Sequence, residues 1–413
     1  MNFSSALLLF WCAMPLFLLA AACTNTEKPG LKTGLWRAVI ETRGKEIPFH
    51  LEVVKSESGS LAIFLINGSE RQHIPAVRQQ ADSVYIEMPV VDAEIKAKIS
   101  GNTLTGLYYK NHPTNSYTLP FTATYGIKDR FLGEPKTPAT NITGKWAVTF
   151  IKDAGKTTDA IGIFEQKNSA VTGTFLTATG DYRFLEGRLW GNKLQLSTFD
   201  GGFLYLFEAD LQNDGTLKGE FWSGKTGYQA WKAQKDAGAS LKDAGKLTTL
   251  QPGTETISFA FPDLEGQPVS LTDDRFKNKV VIVQILGSWC PNCLDETAFL
   301  APWYADNKDK GVEIIGLAYE YSPEFTKAAA RVKRLKERFD VQYPLVIAGT
   351  PGADAAKTLP MLSGINAYPT TILIDKNGKV RKIHTGFSGP GTGEYYEKFV
   401  EEFEGDVAEL LSE

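Results

Sequence analysis

The amino-acid sequence predicts a multidomain chain in which two repeated antiparallel β domains, each a barrel or a sandwich, precede an α/β domain. Three observations carry this. The 413 residues amount to two to three times the usual domain size. A pattern recurs at a period near 110 residues, so that Gly34-Leu-Trp36-Arg-Ala-Val39 answers to Gly144-Lys-Trp146-Ala-Val-Thr149. From about Thr254 onward, strands alternate with helical stretches instead of with tight turns.

The order begins with an export segment. Ala6 to Ala22 is a 17-residue apolar run, slightly short for a membrane span, and reads as the core of a signal peptide covering residues 1–22. It ends LLAAAC, and small residues directly before a cysteine resemble a bacterial lipoprotein signal, which implies lipidation of Cys23 at the head of a polar tether over 23–33. The same alanines would serve ordinary secretion with a cut at the same bond; a retained anchor is the third reading. Cleavage removes Cys12, so of four cysteines only Cys290 and Cys293 stay in the soluble part, in a compartment where disulfides persist.

The β domains are read over 34–126 and 144–232. Short alternating runs such as Val53 to Ile66, Val84 to Met88 and Val171 to Leu176 lie between Asn-Gly, Asp-Gly and Gly-Ser turns, the mark of hairpins. AEIKAKISGNTLTGLYY, from Ala93, answers to YLFEADLQNDGTLKGEFWS, from Tyr205. The Gly-x-Trp openings resemble those of lipocalin- and avidin-like barrels. A ligand cavity or docking surface is one use of such units; a packed spacer whose aromatics fill its own core is the plainer one. Linkers are read at 127–143, with two prolines, and at 233–253, polar and small. The second lacks apolar residues able to hold its neighbours, so the β units are expected to fold independently of the last domain.

That domain spans 254–413. VVIVQIL, Val280 to Leu286, is a continuous β-branched run and predicts a strand buried on both faces, with Ile314 to Ala318 and Tyr343 to Ala348 similar. Between these, Ser322 and Pro323 open a helix whose apolar side carries Phe325, Ala329, Val332, Leu335 and Phe339. Thr371 to Ile374 and Val380 to Ile383 make a hairpin around Asp375-Lys-Asn-Gly378, and helices are expected on both faces of the sheet. The helix after Pro323 is rich in Lys and Arg, which ordinarily means a solvated face. A formal net charge of -4 excludes a nucleic-acid surface spread over the whole chain.

WCPNC, Trp289 to Cys293, directly follows the buried strand and precedes a helical stretch. A dithiol at this spacing suits redox exchange. Cys290 sits where helix amides and the helix dipole favour a thiolate, and Cys293 stands one turn inward, able to displace it from a mixed disulfide. Half of a zinc site is the competing reading, but structural zinc needs four ligands and there is no second cysteine pair. Together with FAFPDLEGQPVSLTD and NAYPTTILIDKNGKVRKIHTGF, this motif resembles the thioredoxin-like, exported thiol-disulfide oxidoreductases of the TlpA/ResA type, over the last 160 residues.

The resemblance implies a thioredoxin-like domain and a cis peptide before Pro369. It implies substrate contacts at Trp289, Tyr368 and Pro369, and a catalytic Glu296 that faces the dithiol from one helical turn on; an ordinary exposed acid, like Asp295, is the alternative. Gln284 occupies the strand position where thioredoxin itself often has a buried acid. No cofactor is expected, since two sulfurs carry the electrons. The implied activity is reduction of protein disulfides in the cell envelope, facing the periplasm, with a membrane thiol carrier as electron donor and the membrane reached through the lipid anchor. Alternatives are a thiol peroxidase, against which stands Gly287 where a Thr or Ser is usual, and a ligand-binding lipoprotein whose dithiol senses redox state.

Overall fold

The computed structural model describes residues 30–413 apart from 57–58, 75, 113–114, 153–154, 242–245 and 353, so the export segment with Cys12 and Cys23 lies outside the described residues. No described helix is long and apolar enough to cross a membrane, a statement that does not extend to strands.

Each repeat is an up-and-down antiparallel barrel. In the first, nine strands run in meander order and the opening strand, Gly34–Thr42, pairs with the closing one, Tyr117–Tyr125. Its end strands, Glu70–Ile74 and Ala76–Gln80, are successive in the chain and leave the ring nearly closed. The second ring is closed: Gly144–Ile151 pairs with Thr157–Lys167 and Gly227–Lys235, and Thr157–Lys167 pairs onward with Ala170–Thr177.

The repeated residues do the same work twice. Gly34 and Gly144 adopt φ of +121° and +120°, which favours glycine. Two residues on, the Trp36 and Trp146 indoles donate to the carbonyls of Lys32 and Ile142, both at 2.9 Å. Gly106 and Gly219, the glycines of the second repeated stretch, lie so close to the adjacent strand that a Cβ would fall 1.9 Å from the Lys96 carbonyl oxygen and 2.0 Å from that of Glu208. The second barrel is filled by fully buried rings, Phe150, Phe175 and Phe207 among them, with Phe207 and Phe221 stacked at 4.2 Å. These rings take up the interior that a lipocalin-like ligand would need.

The C-terminal domain is thioredoxin-like, with a five-stranded mixed sheet. Val280–Leu286 is its centre, parallel to Val312–Tyr319 and antiparallel to Thr370–Ile374, with Leu345–Gly349 and Val380–Thr385 at the edges. Helices cover both of its faces, but unequally. Val280, Ile282 and Leu286 pack with Leu300, Val332 and Val407, so the three long helices, Pro291–Asn307, Phe325–Phe339 and Glu394–Ser412, share one face. Val281, Val283 and Ile285 meet Ile257, Phe259 and Phe276 and the short helix Ala355–Thr358 on the other. A run apolar at every position reports burial on both faces but not what covers each.

The expectation of independently folding units is corrected by the packing. One apolar cluster runs through Phe49 and Phe121 of the first barrel, Phe199 and Trp222 of the second, and Cys290 and Leu294 of the last domain. The segment 127–143 is wedged between the barrels. Buried Arg130 donates to the Ile66 carbonyl at 2.6 Å and to Glu186 at 2.7 Å, one partner in each barrel. The final strand of the second barrel continues to Lys235, beyond the start of the segment read as a linker from 233. Within that segment Ala239 packs against Ile161 and Leu176, and Leu250 bridges to Leu362. Leu241 of the segment and Tyr395 of the last domain pack on the same cluster, so a few apolar residues tie the second barrel to its neighbour. The basic helix is not simply solvated either, since Arg331 and Arg334 reach Asp92 of the first barrel at 2.6 and 2.9 Å.

Candidate functional site

Cys290 ends the turn after the central strand and is the N-cap of Pro291–Asn307, with Pro291 at the first helical position, where its missing N–H costs nothing. The Cys290 sulfur accepts from the backbone amide of Cys293 at 3.4 Å and donates its S–H to the Tyr368 carbonyl at 3.3 Å. An N-cap acceptor satisfies an otherwise orphaned helix amide and stands at the positive end of the dipole. Cys293 is fully buried. Burial first, then the bond and charge of Cys290, hold its thiol well above the usual value, and Glu296 adds to that.

Glu296 is not an exposed helix acid; it is 1% exposed. Its carboxylate accepts from Thr371 Oγ1 at 2.6 Å and from Gln284 Nε2 at 2.8 Å, while the Gln284 carbonyl accepts from Tyr343 at 3.2 Å. Burial raises Glu296 to about 7 against these two bonds, which lower it. Gln284 therefore anchors the Glu296 carboxylate. A second buried acid escaped the sequence reading: Glu320 accepts from the Ser288 amide at 2.7 Å and its hydroxyl at 2.9 Å, bracing the turn before the dithiol, and burial raises it to about 7 against those bonds. An acid at the end of an apolar strand was the available signal.

Trp289 donates to the Tyr319 carbonyl at 2.9 Å and packs against Tyr321 and Tyr368. A side chain at Gly287 would set its Cβ 2.3 Å from Trp289 Nε1, so the indole fills the place a peroxidase hydroxyl would need. The Tyr368–Pro369 peptide is cis. Pro369 is buried, and Tyr368 meets the dithiol through its carbonyl.

Cys290 is itself nearly buried, at 6% exposed. The barrels sit on the dithiol face. Asn292, between the two cysteines, donates to the Asp181 carbonyl of the second barrel at 3.2 Å. Asp181 in turn accepts from the Gly389 amide at 2.6 Å. Arg183 binds Glu70 of the first barrel at 2.5 Å, Asp200 at 2.8 Å and Asp295 of the dithiol helix at 3.0 Å. Asp295 is thus no ordinary surface acid, and burial raises it to about 7 even against Arg183. Nothing in the local sequence signals these partners, which lie in three different domains.

Residues 251–398 match the Redoxin family. The thiol-disulfide oxidoreductase ResA of Halalkalibacterium halodurans is 33% identical over 134 residues, which cover 32% of this chain and 68% of that protein. ResA of Bacillus thuringiensis subsp. konkukian is 34% identical over 135 residues, 33% of this chain and 70% of that protein. The crystal structure of the thioredoxin domain of a thiol-disulfide oxidoreductase from Bacteroides vulgatus aligns with a TM-score of 0.28 and 28% identity, over 37% of this chain and 99% of that one.

Proposed function

Because the chain belongs to the ResA-type family of thiol-disulfide oxidoreductases, we propose that Cys290 and Cys293 are its redox couple and that it works as a disulfide reductase. The arrangement of the two sulfurs carries this reading. One caps a helix and reaches a pocket; the other is fully buried one turn on, beside a carboxylic acid. Cys290 attacks the substrate disulfide, and Cys293 then displaces the product by attacking Cys290. For that second step Cys293 must lose a proton that burial holds tightly, and Glu296 is the acceptor, able to take it once ionised.

Single-turnover reduction of hydroxyethyl disulfide by the reduced full chain tests both points. Wild type should release two equivalents of thiol, with a resolving rate that climbs as pH rises through about 7, where Glu296 ionises. Glu296→Gln should lose that limb and resolve about tenfold more slowly or worse. The raised Glu296 value also means that its contribution to stability is complete at low pH and lost as pH rises through about 7, a dependence the variant should lack. Absence of thiol release would remove the reductase reading; coincident pH profiles would leave Glu296 a structural acid.

The location we propose is the cell envelope, outside the cytoplasm, with Cys23 lipidated and a membrane thiol carrier returning electrons to the dithiol. LLAAAC supports the anchor. Fatty-acid labelling should mark wild type and not Cys23→Ser; a labelled variant would place the lipid elsewhere.

A further inference from the structure

Cys290 lies in the wall of a pocket of about 280 Å³, faced by Val91, Lys110 and His112 of the first barrel, Phe203 of the second, and Trp289 and Tyr321 of the thioredoxin-like domain. That volume is just under the range of about 300–1,000 Å³ usual for small-molecule sites. The walls are anchored. A Cβ at Gly202 would lie 2.9 Å from Pro291 Cγ, Asn292 is bonded to Asp181, and Arg183 ties the dithiol helix to both barrels. A folded domain carrying a surface disulfide would have to displace these contacts to reach Cys290, whereas a small molecule would not.

The wall also has a sign. Lys110 donates to the carbonyls of Val91 and Gly201 at 2.7 and 3.1 Å, and Arg331 pairs with Asp92 at 2.6 Å. Two cations against one carboxylate favour a ligand that brings its own carboxylate and disfavour one that brings an ammonium group.

We propose that the barrels restrict this enzyme to low-molecular-mass disulfides bearing a carboxylate, in place of the protein disulfides that the family resemblance implies. This rests on Cys290 and Cys293 being the redox couple. The Cys290 thiolate attacks one sulfur of R–S–S–R, breaking that bond, and the leaving R–S⁻ takes up a proton. Cys293 then attacks the Cys290 sulfur, releasing the second R–SH. The dithiol loses two electrons and two protons to the two product thiols, and a dithiol donor restores it.

The test mixes the reduced full chain with dithiodipropionate, with cystamine, or with pancreatic trypsin inhibitor, a rigid folded domain with an exposed disulfide. Oxidation of Cys290 and Cys293 is followed by alkylation and mass measurement, and each rate is divided by that of dithiothreitol with the same disulfide. Dithiodipropionate should exceed the folded inhibitor at least a hundredfold and cystamine at least tenfold. Asn111→Trp, which adds a large side chain at an exposed position of the pocket wall, should slow dithiodipropionate at least tenfold while leaving the thermal midpoint in place. If the folded inhibitor reacts as fast as dithiodipropionate, the barrels impose no size limit and the proposal fails. Equal rates for the two small probes would overturn the carboxylate preference, and full-speed Asn111→Trp with an unchanged midpoint would show that the pocket is not the entry. No reaction with any probe would sink the redox-couple reading itself, and this proposal with it.

Discussion

Cys290→Ser is expected to reduce disulfides about 10⁴-fold more slowly than wild type, or not at all, while keeping its fold. The thiolate is the attacking species, and Cys290 is the sulfur that lines the pocket and caps the helix. Cys293 cannot substitute for it. It is fully buried, its thiol is held well above the usual value by burial, and it does not line the pocket. Cys293→Ala should leave the first step intact and remove the second, so a mixed disulfide through Cys290 should build up to near one equivalent. Mass spectrometry after acid quenching reads both results. If Cys293 proves to be the faster-alkylated thiol, or if Cys290→Ser traps substrate as well as Cys293→Ala does, the two roles are reversed.

Arg183→Ala should destabilise the whole chain by about 3–5 kcal/mol, the usual consequence of removing one partner from a buried charge cluster. The guanidinium is 9% exposed and is the cation that directly bridges Glu70, Asp200 and Asp295, whose side chains are 12%, 2% and 12% exposed. Without it, three carboxyl groups face one another in a poorly solvated junction. The loss should therefore depend on pH. Burial already raises Asp295 to about 7 and pushes Glu70 up as well, so protonation of Asp295 as pH falls through about 7 removes negative charge from the cluster. The difference between variant and wild type should be largest at pH 8 and shrink as pH falls through about 7. Chemical denaturation at pH 5 and 8 measures it, with Arg183→Lys as a partial rescue. Because the cluster joins all three domains, wild type should unfold in one transition. A separate early transition for the barrels, or a loss of under 1 kcal/mol at pH 8, would mean that the junction contributes little.

Much of the site was legible because its determinants are local. A dithiol two residues apart after a β-branched run places one sulfur at a helix N-terminus by the geometry of a strand–turn–helix alone, and Cys290 is that N-cap. Glu296 follows from the helical repeat, one turn on from Cys293. What surrounds it does not: Thr371 comes from a neighbouring strand and Tyr343 from the segment leading to the edge strand. The barrels were legible in the same local way, through alternation, turns and two glycines that admit no Cβ.

The sequence by itself determined the succession of two β units and one α/β unit, the Gly-x-Trp closures and the placement of the dithiol, since each depends on residues near one another in the chain. Only the tertiary structure decided that 127–143 is a wedge, that Asp295 belongs to a three-domain ion cluster, and that Cys290 lies inside a pocket instead of on a surface. The physical reason is range. Backbone periodicity and capping are written in neighbouring residues, whereas Arg183 and Asp295, 112 positions apart, meet only because three packed surfaces bring them within 3.0 Å. No pattern in either stretch of chain specifies that approach; complementary shape and charge across the finished domains do.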